Sequence, residues 1–450
     1  MKKILYIIPA LLLITHFFLL IYTGFTAWPE MTFWPYLILK GWLPYKDIAI
    51  AHTPILLGDL TIFFKIFGTG LMQLKIYTWI LILGTDLLVY WVFKKLWDRK
   101  VALVSLLVYV PLQLYFEGNG LWFDLALAPL ALVIYYLLEK KNYLWAGVWW
   151  GIAFLTKQTA FWFLIPILYT FLRHHVKDTP LHILRRFIIG AGIVGVISFM
   201  VLRLLGIWGD FWLWAIKFGI TKLPSSSGQM HLPTARQFII ATFPFLLLTL
   251  STIRIKKSFK ILVWAIFASL GVIPRWELFH FQPALPFLAI GLSLALINFK
   301  KLKLYELIIL GVGLVLVSLP ISRQLIRYWE QEDRFYEPAV LKTAQYIKEN
   351  SEKNDKIYIA NAWDNLYVLT DTVPALRPWI PFLPWYIEIP GIEDVMVANL
   401  SIYPPKLIVE GEYQGSGLGA YKPEQINGFI MDNYSEVEEF DSYLIYKPKK

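Results

Sequence analysis

The sequence contains no cysteine and little charge. The first absence excludes disulfides, thiolate metal sites and thiol catalysis, while leaving the compartment open. Only 16% of the 450 residues are Asp, Glu, Lys or Arg, where a soluble domain carries about 25%. Hydrophobic residues make up 57%, and mean hydropathy is +0.55. A water-soluble core cannot hide so much apolar surface, so the chain reads as a polytopic α-helical membrane protein. The few histidines show no H-E-x-x-H spacing.

The formal net charge of +10 raises the possibility of nucleic acid. The placement of the cations argues against it: Lys and Arg cluster in short loops between apolar runs, as the positive-inside rule requires. Trp and Tyr are abundant, as expected where rings sit at headgroup level. Lys2 and Lys3 open an apolar stretch that resembles a signal peptide, but no small-residue cleavage site follows, so it reads as a retained first span.

Candidate spans fall at about 4–23, 72–93, 101–116, 121–138, 183–205, 237–253, 260–274, 281–298 and 304–320. The run from Pro54 to Phe67 is too short to cross and reads as re-entrant or interfacial. The run from Leu144 to Leu172 is too long for one span and carries Lys157 near its middle. It reads as two short helices meeting near Thr156–Thr159, with Lys157 at the turn. With a cytoplasmic N-terminus, this parity puts Lys94, Lys95, Arg99, Lys100, Lys140, Lys141, Arg173, Lys177, Arg185, Arg186, Arg254, Lys256, Lys257, Lys260, Lys300, Lys301 and Lys303 inside. It gives about 11 spans in the cytoplasmic membrane and places everything after Leu319 outside.

Two domains are expected: a membrane domain over 1–322 and a small extracytoplasmic α/β domain over 323–450. The latter is richer in charge. Pro338 to Asn350 predicts an amphipathic helix, and 423–434 another. Segments 356–360, 365–369, 405–410 and 441–447 predict strands. No Gly-rich phosphate loop occurs there.

This topology gathers polar residues at one membrane face. Glu30, Asp47 and His52 lie in or just after the first outer loop. Glu117 and Asp124 flank the next outer turn. Lys157, Arg275, Glu277 and His280 join them. A carboxylate there can act as general base, and cations can hold a phosphate as it leaves. Plainer readings exist. Glu30 and Asp47 could cap interfacial helices or pair with Lys40 and Lys46, Asp124 could be a helix-start cap, and His52 and His280 could be interfacial histidines. Asp364 and Asp371 read as turn residues. Lys157 is hardest to dismiss, because charge at that depth is costly.

The order Glu30, GWLPYKD (41–47), HTPILL (52–57), AGVWWGIAFLTKQTAFWFL (146–164) and RWELFHFQPALPFLAI (275–290) resembles the C superfamily of membrane glycosyltransferases. The nearest group is the protein O-mannosyltransferase and aminoarabinose transferase type (glycosyltransferase family 39, RgtA-like). The resemblance covers about residues 1–320. It implies transfer of a sugar from a polyprenyl-phosphate donor to a lipid, glycan or protein acceptor at the outer face of the membrane. By that resemblance Glu30 is the expected base and Asp124 the second catalytic acid. Lys157 and Arg275 are phosphate contacts, with His280 and His52 in support, and Asp47 orders the loop through an ion pair. Many relatives carry Asp-Glu in the first loop, where this chain has Pro29-Glu30. One carboxylate is missing, and with it a metal site built from two neighbouring acids, so no cofactor or essential metal is expected. Alternatives of another class are a transporter or lipid flippase, favoured by intramembrane Lys157, and a non-catalytic sugar-lipid binding relative. Against the transporter, no internal repeat is visible.

Overall fold

A computed structural model describes residues 4–174, 180–225, 230–252, 258–412 and 423–449. The basic markers Lys2, Lys3, Lys177, Arg254, Lys256 and Lys257 lie outside the described residues. The apolar runs form helices, because a backbone in hydrocarbon must satisfy its own polar groups. α1 (Ile4–Tyr22), α2 (Pro29–Leu39), α3 (Ile55–Phe67), α4 (Leu71–Leu96), α5 (Arg99–Tyr115), α6 (Phe123–Glu139) and α7 (Tyr143–Thr156) come first. A 3-10 segment, Gln158–Phe163, then leads to α8 (Leu164–His174) and α9 (Pro180–Leu204). Among the described residues, five helices are long and apolar enough to cross a membrane: Leu71–Leu96, Leu181–Leu204, Ala235–Thr252, Leu278–Ile297 and Leu304–Tyr328. The chain is therefore read as a multi-pass membrane protein. The sequence estimate of about 11 spans depends on counting shorter helices too. α3 has 13 residues, about 20 Å of helix against a hydrocarbon core of about 30 Å.

α7 and α9 pack with their backbones nearly touching. A methyl group on Gly147 would lie 2.0 Å from the Phe187 carbonyl oxygen, and one on Gly190 would lie 2.0 Å from that of Leu144. One turn further along α7, a methyl on Gly151 would meet Val194 Cβ at 2.9 Å. Small residues that let backbones approach are the usual glue between helices in lipid. This explains the glycine spacing in AGVWWG by packing. It also fixes the end of α7, where Lys157 sits.

The long helix Leu304–Tyr328 runs through residue 322, so the chain leaves the helix only at Tyr328. Beyond it lies a five-stranded sheet with order β2-β1-β3-β5-β4, made from β1 (Lys356–Ala360), β2 (Val373–Pro374), β3 (Ile408–Gly411), β4 (Tyr434–Phe440) and β5 (Tyr443–Pro448). β1 pairs in parallel with β2 and β3, while β3–β5 and β5–β4 are antiparallel. Helices Pro338–Asn350 and Glu424–Asn433 lie where the sequence puts them. Segment 365–369, expected as a strand, is instead the helix Asn365–Thr370. Its buried residues Leu366, Tyr367 and Thr370 follow a helical period that so short an apolar run does not reveal. The acidic β4 carries Glu436, Glu438 and Glu439 at a sheet edge, where charge blunts unwanted pairing.

Two backbone seams tie the chain after Tyr328 to the helices before it. In the first, residues 23–27 lie between the 116–120 turn and the chain leaving Tyr328. Gly24 N–H donates to Tyr328 (2.8 Å), Thr26 N–H to Asn119 (2.9 Å), and Arg334 N–H to Phe25 (2.9 Å). In the second, Trp379 N–H donates to Asp47 (2.8 Å) and Ala49 N–H to Trp379 (2.9 Å). α2, which carries Glu30, is held between the two.

Candidate active site

Pro29 opens α2 and Glu30 follows in the first turn. Proline tolerates that position because its missing N–H is not needed there, and a carboxylate is favoured near a helix N-terminus. The Glu30 Oε2 atom is buried and has no hydrogen-bond partner. Burial pushes the Glu30 carboxyl above its usual value, with its own backbone N–H and the Arg275 charge acting the other way. Lys40 does not neutralise it: that ammonium is bonded to Asp371 at 2.6 Å.

A second cluster lies where α6 begins and α7 ends. Lys157 is extended between α7 and the 3-10 segment, the turn expected from the sequence. Its Nζ donates to Asp124 Oδ2 and stands 3.2 Å from His280 Nδ1. His280 Nδ1 in turn lies 2.6 Å from the same Asp124 oxygen. Asp124, Lys157 and His280 are 1%, 5% and 7% exposed, so the ion pair is removed from water. Asp124 Oδ1 is buried with no partner. A methyl group added to Gly271 would lie 3.3 Å from that oxygen, a tight contact, so the glycine leaves it more room.

The remaining expected residues separate by role. His52 stacks on Phe123 with ring centroids 4.1 Å apart, and its Nδ1 is buried without a partner. Burial, together with the nearby Lys157 and His280 charges and against that of Asp124, lowers it to about 3, so the ring is neutral. Arg275 touches Glu277 through Nε (3.3 Å) and lies over the Trp385 ring at 5.6 Å. Asp47 binds Arg377 at 2.7 Å and the Leu43 N–H at 2.8 Å. It anchors the loop, the ion-pair role the sequence suggested.

A chain of aromatic contacts runs between the two clusters. Trp28 contacts Trp122, Phe279 and Phe335 at 5.2, 5.3 and 5.3 Å between centroids. His52 meets Trp122 at 5.6 Å, and Phe279 meets His280 at 4.3 Å. A cavity of about 570 Å³ opens beside the first seam, lined by Tyr115, Glu117, Asn119, Tyr328, Arg334 and Glu337 among others. Neither acid cluster lines it. Glu117 there is raised to about 7 by burial and the Glu277 charge, against Arg334.

Comparison with known proteins bears on this arrangement. A family model for dolichyl-phosphate-mannose-protein mannosyltransferase matches residues 51–204. The crystal structure of ArnT from Cupriavidus metallidurans bound to undecaprenyl phosphate superposes with TM-score 0.63 at 12% identity, covering 99% of this chain and 98% of that one. AglB from Archaeoglobus fulgidus, an archaeal oligosaccharyltransferase in complex with an inhibitory peptide and a dolichol-phosphate, gives TM-score 0.56 at 11% identity over 98% and 74%. The arabinofuranosyltransferase AftD from Mycobacteria gives 0.54 at 12% over 100% and 40%. The chain has the fold of the C-superfamily membrane glycosyltransferases. No curated protein sequence matches it.

Within this fold, three residues matter whose contacts the sequence does not reveal. Gln158 Nε2 donates to Ala51 (2.7 Å) and Ala215 (2.8 Å), fastening the His52 loop beside Lys157. Asn119 Nδ2 donates to the carbonyls of Leu20 and Thr23, both at 3.0 Å, closing the end of α1. Asp364 is a turn residue, as read from the sequence, and the Glu30 charge acts on it. The adjacency of TKQ in sequence signals the first. Nothing local signals the last, because the two acids lie at opposite ends of the chain.

Proposed function

We propose that the chain transfers a sugar from a polyprenyl-phosphate donor to an acceptor hydroxyl or amine at the outer boundary of the cytoplasmic membrane. The observation that carries this reading is the unpartnered Glu30 carboxylate oxygen beside the Arg275 cation. The fold supports it, since ArnT and AglB were solved with undecaprenyl phosphate and a dolichol-phosphate.

Glu30 takes the proton from the acceptor as the new bond to the anomeric carbon forms. The bond from that carbon to the phosphate oxygen breaks on the opposite face, so configuration inverts. The leaving lipid phosphate gains negative charge, which Arg275 stabilises. The Lys157 charge is already matched by Asp124, so Lys157 contributes N–H donors and not a free charge. Asp124 holds Lys157 and His280, and its free Oδ1 accepts a substrate hydroxyl. Neutral His52, pinned against Phe123, offers a ring nitrogen to the same space. Trp28 and Trp122 offer flat faces to a sugar ring. A burial-raised base suits proton abstraction near neutrality.

The test is turnover by the purified protein in lipid nanodiscs, with a panel of labelled polyprenyl-phosphate sugars and a mixed acceptor pool. Release of polyprenyl phosphate from one donor with label moving to acceptor supports the reading. Donor movement across the bilayer without cleavage favours the flippase reading instead.

A further inference from the structure

Glu30 and Asp364 come from different parts of the chain, yet ring contacts bracket them on two sides. On one side, Phe33 stacks on Tyr367 with centroids 5.0 Å apart and planes at 18°. Phe33 is three residues after Glu30, and Tyr367 three after Asp364. Residues three apart share a helix face, so the two acids sit one turn before this stack. On the other side, Trp28 meets Phe335 at 5.3 Å and Phe335 meets Trp363 at 4.7 Å. Trp28 lies two residues before Glu30, and Trp363 immediately precedes Asp364. Trp379 closes the remaining side. It packs edge-on against Phe33 at 4.8 Å and acts as a hydrogen-bond donor to Asp364. Asn365 Nδ2 fixes the start of its helix by donating to the Phe335 carbonyl at 2.6 Å.

We propose that Glu30 and Asp364 form one catalytic unit in which two carboxyl groups share a single proton, with Asp364 holding it and Glu30 acting as base toward the acceptor. The inference rests on the glycosyl-transfer reading for its chemistry, but the pair itself stands on packing. Two like charges in an enclosure of rings cannot both remain ionised. Burial and the Glu30 charge both push Asp364 up. Glu30 has a backbone N–H and Arg275 in its favour, so it is the member that ionises. The other titratable groups facing the pair are Tyr386 toward Glu30 and Tyr367 toward Asp364, both driven up by burial and both neutral. Arg334 lies over the bracketing rings of Trp28 and Phe335 at 5.1 and 4.8 Å. The outer domain thereby completes the active site. During transfer the acceptor proton moves to Glu30 while Asp364 keeps its own, and both carboxyl groups are neutral as the phosphate leaves.

The test has two readouts. Infrared difference spectra of wild type against Asp364→Asn, in lipid without substrate, read the protonated carboxyl directly. The expected result is a protonated C=O band at pH 7 in wild type that vanishes in the variant. In Glu30→Gln the Asp364 band should titrate about one pH unit or more lower than in wild type, because the like charge is gone. The second readout is the pH profile of transfer. Wild type should fall off on the alkaline side as the pair loses its shared proton, and Asp364→Asn should lack that limb. Identical wild-type and Asp364→Asn spectra overturn the proposal. So does activity lost to chelator and restored by a divalent cation, which would make the pair metal ligands. A present band with no transfer from any donor would leave the pair intact and sink the transferase reading instead.

Discussion

Asp124→Asn is the sharpest perturbation of the buried network, because it changes charge while keeping shape. In the native protein a single oxygen, Asp124 Oδ2, serves both Lys157 and His280. Asparagine keeps one acceptor but leaves the Lys157 ammonium without a counter-charge at 5% exposure. Removing one member of a buried ion pair costs about 3–5 kcal/mol. Lys157→Met removes the other charge. It leaves Asp124 with His280 still at 2.6 Å, so the expected cost is smaller, about 1–3 kcal/mol. The double variant carries neither charge and loses only polar contacts. It should therefore be more stable than Asp124→Asn alone, with a coupling of about 2 kcal/mol. The assay is reversible unfolding in mixed micelles for wild type, both single variants and the double. Additivity within about 0.5 kcal/mol would mean that the two groups are not paired as described, and the network account would fail.

Three further outcomes follow from particular contacts. Gly147→Ala forces α7 away from the Phe187 carbonyl, which a methyl would approach to 2.0 Å; it should cost about 1–3 kcal/mol and lower transfer by shifting Lys157. Gly192→Ala, where nothing lies within 4 Å, should instead hold or raise thermal stability, and equal effects of the two would refute the close-packing account. Arg275→Gln should weaken donor binding and slow phosphate departure, lowering kcat/KM by about 10²-fold; an unchanged value excludes Arg275 as the phosphate contact. Because the Glu30 carboxyl is raised above 4.5, falling pH protonates the base early, so the acidic limb of kcat/KM should lie above pH 4.5; a limb at or below that value contradicts the buried setting.

Much of this was legible in the sequence because the membrane imposes simple rules. Long apolar runs and the loops between them follow from hydropathy. Lys157 stood out because a charge inside such a run needs a reason, and the structure supplies Asp124 and His280. The glycines of AGVWWG were visible as a pattern, but their purpose appears only when Phe187 and Val194 of α9 lie against them. Asp47 was legible as a loop-ordering acid, although its partner Arg377 was not. The helix Asn365–Thr370 was misread because five apolar-rich residues fit either period. Asp364 was legible as a turn residue but its coupling to Glu30 was not: that arises from packing between α2 and the C-terminal segment, and no local spacing encodes a contact between distant segments.

The most direct test of the central claim is a paired measurement on wild type and Glu30→Gln in lipid, with single-turnover sugar transfer beside equilibrium binding of the same polyprenyl-phosphate donor. The account predicts transfer lowered by about 10²–10⁴-fold with donor affinity retained. Transfer at the wild-type rate in Glu30→Gln would contradict it.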